Sequence, residues 1–255
     1  MNHARRRFLA VTLGLLACTA AFAADKRKKI VMLIAEPEYE TARTLPEFAR
    51  QHLEKDFRVV IVGGSAAAGA TAFDSLNELN DADVLLVSVR RRTPPKAQLE
   101  AIRRYVSSGR PVIGIRTASH AFALSKNQKL AAGQAEWPEF DHQVIGGNYA
   151  NHHGKGAATV VTPVSDSATK HSILRGVQLP FSSETTLYRN TPLRDNTTPL
   201  LIGAIPNQPS EPVAWIFTRA NGGRTFYTSL GGPTDFQNPS FTRMLLNAFQ
   251  WAVRG

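Results

Sequence analysis

Four apolar runs, KIVMLIA (29–35), FRVVIVG (57–63), DVLLVSV (83–89) and PVIGI (111–115), carry almost no polar residue between their ends. A strand with one wet face alternates apolar and polar side chains, so unbroken runs of this length predict strands covered on both faces. Parallel sheets between two layers of helices provide that cover. The intervening segments agree. Thr44-Leu45-Pro46-Glu47 reads as a capping box opening a helix that turns Leu45, Phe48, Ala49 and Leu53 inward. Pro94-Pro95 opens a second, with Leu99, Ile102 and Val106 on one face and Gly109 as its stop. A Gly/Ala-rich connection follows the second run. Three βαβ-like steps with short loops predict an α/β, doubly wound sheet whose ligands sit beyond the carboxyl ends of its strands.

The stretch 123–195 is irregular and rich in Gly, Asn and His, and reads as excursions around the sheet. Order returns with PLLIGAI (199–205) and PVAWIFTR (212–219), a hairpin turn at Asn221-Gly222-Gly223, and RTFYTSL (224–230). A last helix takes Asn238 as its cap and Pro239 in its first position, with Phe241, Leu245, Ala248 and Ala252 on one face. At 255 residues and 43% hydrophobic, the chain is long and apolar enough for one full core, and a single domain over 24–255 is expected.

Residues 1–23 read as a secretory signal: Arg5-Arg6-Arg7, an apolar run from Phe8, and Ala21-Phe22-Ala23 before the cut. Arg5-Arg6-Arg7-Phe8-Leu9 also suits a twin-arginine signal, and Leu15-Leu16-Ala17-Cys18 a poorly matched lipoprotein site. The expected location is periplasmic or secreted, with no membrane span after cleavage. Removing three arginines lowers the formal charge from +10 to about +7. The remaining cations are scattered apart from Lys26-Arg27-Lys28-Lys29 and Arg90-Arg91-Arg92, with no stripe of interleaved aromatics, so no nucleic acid is expected as partner. The one cysteine, Cys18, leaves with the signal, which excludes disulfides, thiolate metal sites and a cysteine nucleophile.

The polar residues after the strand ends are the candidates for chemistry. Glu36 follows the first strand, either as a catalytic or hydroxyl-binding acid or as a solvated loop glutamate. One of Arg90, Arg91 and Arg92 can face a ligand after the third; three successive loop residues cannot all do so. RPVIGIRTASHAF (110–122) places Arg116 where many α/β enzymes carry a nucleophile, and a guanidinium cannot attack. Arg116, Ser119 and a neutral His120 in the first turn of a helix would instead grip carbonyl or hydroxyl oxygens; the alternative is a buried arginine paired with an acid. FDHQVIGGNYANHHGKG (140–156) gathers His142, Asn148, Tyr149, His152 and His153, a density suited to hydroxyl-rich ligands or a polar loop. Adjacent His152 and His153 in an extended loop point to opposite sides, and no metal-ligand spacing occurs, so neither metal nor cofactor is expected. Asp235 after Gly231-Gly232 is either a ligand contact or a helix-start residue.

PVIGIRTASHAF, HSILRGV (171–177), PVAWIFTRANGGRTFYTSLGG and DFQNPSFTRMLLNAFQWAV together resemble the ThuA-like (trehalose utilisation) family over most of the chain. The resemblance implies a class I glutamine amidotransferase-like, flavodoxin-like fold and a role in metabolism of trehalose or related sugars. It places Arg116 at the position of the amidotransferase cysteine. It places Gly232 where ThuA-like sequences often keep a histidine, so amide hydrolysis is excluded. Three readings remain: an exported protein binding or modifying a trehalose-like or keto-sugar, with acid–base work by His120 or Glu36; a non-catalytic accessory protein partnering a sugar-oxidising or hydrolysing enzyme; and, against the absence of ligand spacing, a metal-dependent hydrolase using the His-rich stretch. A homo-oligomer is compatible with each.

Overall fold

The computed structural model describes residues 25–64, 71–154 and 156–254; the expected signal and Cys18 lie outside them. The first strands are β1 (Lys28–Ala35), β2 (Phe57–Gly63), β3 (Val84–Val89) and β4 (Val112–Ile115). After the middle excursions come β5 (Asn151–His152), β6 (Thr159–Pro163), β7 (Phe181–Ser183) and β8 (Tyr188–Arg189), then β9 (Thr197–Ala204), β10 (Glu211–Thr218) and β11 (Arg224–Thr228). The helices are α1 (Thr41–Phe48), α2 (Lys96–Ser107) and α3 (Pro239–Val253).

Nine strands form one sheet in the order β2-β1-β3-β4-β11-β10-β9-β6-β7. Its first five run parallel in the 2-1-3-4-5 order of the flavodoxin-like doubly wound fold, with β11 as the fifth. The remaining four join antiparallel. Ile30, Met32 and Ile34 face α1 and α3 through Leu45, Phe48, Phe241 and Leu245. Val31 and Leu33 face the opposite layer through Leu99, Ile102 and Phe122. Each such side chain stabilises the fold by about 1.5–3 kcal/mol when buried, which is why both faces had to be apolar.

The capping box at Thr44 does not form. α1 opens four residues earlier, after Glu40 in the left-handed region at φ 53°, and no side chain of its own caps it. The Glu36 carboxylate takes the free Thr41 N–H at 2.9 Å instead, which leaves Thr44 inside the helix and Glu47 paired with Arg43. At α3 the expectation holds, with Asn238 accepting from the Ser240 N–H at 2.9 Å and Pro239 following.

The antiparallel extension decides where the ligand face lies. β9 runs with the parallel strands and β6 against them, so the end of β9, the start of β6 and the end of β7 all reach the rim formed by the carboxyl ends of β1, β3, β4 and β11. The two-residue β5–β8 ladder lies beside that rim.

Candidate functional site

β4 ends on Ile115, and Arg116 begins a 3-10 turn with its own backbone at φ 47°. Non-glycine residues in that region carry about 1 kcal/mol of strain, and it persists because the surroundings hold it. Here the Tyr227 hydroxyl donates to the Arg116 carbonyl at 2.7 Å. Arg116 as a whole is 1% exposed, and its guanidinium is tied to the loops around it. It donates to the Thr186 carbonyl (3.1 Å), the Ser229 carbonyl (2.5 Å), the Thr186 hydroxyl (2.7 Å) and the Tyr39 hydroxyl (3.3 Å). None of these acceptors is a carboxylate, and its Nε makes no hydrogen bond. Rings supply the rest: the guanidinium carbon lies 4.4 Å from the Tyr39 centroid and 4.1 Å from that of Tyr188. Arg116 thus forms the floor of a cleft of about 800 Å³, with Tyr39, Thr185, Thr186, Glu184 and His152 on its walls.

The ring column continues. Tyr188 meets Tyr149 at 4.7 Å, and Tyr149 stacks on His120 at 4.5 Å and 22°. Beyond it lies a pocket of about 250 Å³ lined by Arg91, Ser119, His120, Asp141, Asn148 and Tyr149. Burial, followed by the charges of Arg91, Arg90 and Arg116, depresses His120 to about 3, so its imidazole is neutral. The expectation of a neutral His120 rested on the helix N-terminus; burial and three arginines are the operative causes. Its Nδ1 lies 3.1 Å from the Ser119 hydroxyl. Asp141 shows the opposite displacement: burial raises it to about 7, against a hydrogen bond from the Tyr149 N–H at 2.6 Å.

The expected site residues therefore divide. Arg116 and His152 line the large cleft, while Arg91, Ser119, His120, His142, Asn148 and Tyr149 line the small pocket. Glu36 turns inward: its carboxylate accepts from the Glu38, Tyr39 and Thr41 N–H groups at 2.9 Å each and from the Thr41 hydroxyl at 2.6 Å. It shapes the loop that presents Tyr39. Asp235 does the same for the other wall, accepting from the Gly231 and Gly232 N–H groups at 2.7 and 3.0 Å. Arg90 pairs with Glu38 at 2.7 Å, and Arg92 donates to the Thr71 and Ala72 carbonyls. His142 lies beside Arg194, and His153 turns to Glu211 at 3.5 Å and Gln208 at 2.9 Å. A side chain at position 232 would overlap the Thr185 methyl. Among the described residues, no three His, Cys, Asp or Glu side chains converge as metal ligands would.

Sequence reasoning missed Tyr39, Asp141, Thr186 and Tyr188. Asp141 adjoins His142 in the His- and Asn-rich stretch and was within reach of that signal. Thr186 lies in the connection after β7 and Tyr188 in the two-residue β8, with no periodicity or motif to mark either.

A family model described as "ThuA: Trehalose utilisation" matches residues 37–252. No curated protein matches. Among solved structures, a putative ThuA-like protein from Bacteroides uniformis aligns over 92% of this chain and 95% of its own, at 19% identity and TM-score 0.66. One from Parabacteroides merdae aligns over 90% and 91%, at 17% identity and TM-score 0.60. The β-galactosidase of Rahnella sp. R3 shares the fold over 89% of this chain but only 32% of its own length, at 11% identity and TM-score 0.58.

Proposed function

The chain belongs to the ThuA, trehalose utilisation, family, and from its cleft we propose that it binds a carbohydrate of the trehalose-like or keto-sugar class. One observation carries the reading: a buried guanidinium at the cleft floor whose acceptors are all uncharged oxygens. A permanent cation without a counter-charge, set between tyrosine rings and ringed by threonine hydroxyls, suits sugar oxygens. Rings pack on sugar faces while the wall hydroxyls exchange hydrogen bonds with them, on walls that the Arg116 guanidinium holds in place. The leader-like residues 1–23 support export, which would place the encounter in the periplasm or outside the cell.

A second reading, binding without turnover as partner of a sugar-processing enzyme, is favoured by two positions where the sequence offered chemistry. Glu36 is saturated by four donors, and position 232 has no side chain and no room for one.

Calorimetric titration with trehalose, glucose and a 3-keto-glucoside tests the first proposal. Tyr39→Ala, which removes a wall and leaves the core intact, is expected to weaken binding at least tenfold. If the wild-type protein binds none of these sugars, the carbohydrate reading fails. Release of product from the keto-glucoside by the isolated protein would sink the non-catalytic reading alone.

A further inference from the structure

The small pocket behind the ring column has a different chemistry from the cleft, and nothing in the carbohydrate reading uses it. Arg91 enters it from the rim of β3, with its backbone in the left-handed region at φ 47° and its N–H donating to the His120 carbonyl at 3.0 Å. Arg91 and Arg116, each following a strand of the parallel sheet, share this strained conformation. Strain retained in a bulky residue at a ligand-bearing rim marks a side chain that is aimed. The Arg91 guanidinium has five N–H donors and spends one on a protein acceptor, the Leu124 carbonyl at 3.2 Å. The others are available to a ligand.

The pocket's remaining groups add donors and no firm negative charge. Ser119, Asn148 and Tyr149 bring hydroxyls and an amide. Burial is the first cause that keeps His120 neutral, and the positive charges of Arg91, Arg90 and Arg116 act on it in the same direction. Asp141 is the single acid in the lining; one of its oxygens holds the Tyr149 N–H and the other is buried without a partner. At about 250 Å³ the space lies below the range of drug-sized sites and suits a few heavy atoms.

We propose that this pocket is an oxyanion site, taking a carboxylate or phosphate group carried by a ligand of a few carbons, with Arg91 as its counter-charge. Asp141 makes the site proton-linked. An ionised Asp141 repels the incoming anion and a protonated one does not, so binding takes up a proton where Asp141 is otherwise ionised. The polar and titratable groups that line the pocket with Asp141 are His120 and Ser119 from the turn after β4, Arg91 from the β3 rim, and Asn148, Tyr149 and His142 from its own excursion, while Tyr227 of β11 lies within reach of its charge. Burial raises Tyr227 and Tyr149, so both stay neutral across the working range.

The test is calorimetric titration of the wild-type protein at pH 6.5 with acetate, lactate and inorganic phosphate, and with glycerol as the uncharged control. At least one anion is expected to bind where glycerol does not, and whether lactate or phosphate binds tighter distinguishes the two sources. Arg91→Gln is expected to lower anion affinity at least tenfold. Above pH 7 the wild-type affinity is expected to fall by up to tenfold per pH unit, while Asp141→Asn binds with no such fall. Tyr39→Ala, which disables the sugar cleft, leaves anion binding unchanged, so the two sites fail separately. Absence of anion binding, equal binding of glycerol, or full affinity in Arg91→Gln each overturns the proposal.

Discussion

His120 and Asp141 line one pocket and are displaced in opposite directions: the base is held down to about 3 and the acid up to about 7, both chiefly by burial. Each is thereby kept uncharged where it would otherwise ionise. Between about pH 4 and 6.5 the folded state holds one proton fewer on His120 than the unfolded chain does, and one more on Asp141. Their contributions to the slope of stability against pH oppose each other there.

Removing either residue unmasks the other. In Asp141→Asn the His120 contribution remains, present above pH 6.5 and lost as pH falls toward 3, so stability relative to wild type rises with pH across the shared window. In His120→Gln the Asp141 contribution remains, fully present below pH 4 and lost as pH rises to 7, so the relative slope is negative. Each slope approaches ~1.4 kcal/mol per pH unit at its steepest. Urea unfolding of the three proteins at several pH values reads both signs; parallel curves would refute the assignment.

Arg116→Lys keeps the charge but loses the planar stack and leaves carbonyls of two loops short of donors. A fall in Tm of roughly 5–10 °C is expected by calorimetry, together with loss of sugar binding. Wild-type thermal stability in this variant would mean that the guanidinium does not tie the loops together.

Gly232→Ala is expected to destabilise by ~1–3 kcal/mol, because the new methyl overlaps that of Thr185. Thr185→Ser removes the obstructing methyl and keeps the hydroxyl that meets Ser183 at 2.6 Å. The double variant should therefore recover most of the loss. A double-mutant cycle by chemical unfolding measures it, and strict additivity would contradict the overlap.

Glu36→Gln replaces an oxygen that accepts hydrogen bonds with an amide nitrogen facing N–H and hydroxyl donors. The expected cost is ~2 kcal/mol in stability. Hydrogen exchange should quicken in residues 37–41 and in the first turn of α1, with weaker sugar binding following from displacement of Tyr39. Unchanged exchange there would show that the carboxylate does not organise this loop.

The parallel half of the sheet was legible because its signal is local: β2 runs over the same residues as FRVVIVG, and β1, β3 and β4 differ from their runs by one residue at most. The caps differ instructively. Asn238 caps α3 through a neighbour two residues away, whereas α1 is closed by Glu36, five residues before Thr41 and outside any capping pattern. β6 and β7 went unread because five- and three-residue strands carry too short a period. Within the site, Arg116 was visible from its place after β4. The partition into cleft and pocket was not, since Tyr188 and Tyr149 meet only through the β5–β8 ladder between segments distant in the chain.

The cleft takes its walls from turns that precede β6, follow β7 and β9, and follow β1, while the strands they join are anchored in two apolar layers elsewhere. Lining and scaffold are therefore separately heritable. A lengthened 205–210 turn or a rewritten 184–187 corner changes what the molecule can grasp without disturbing the apolar layers, so relatives sharing this frame are free to diverge in what they hold while remaining superimposable in how they stand.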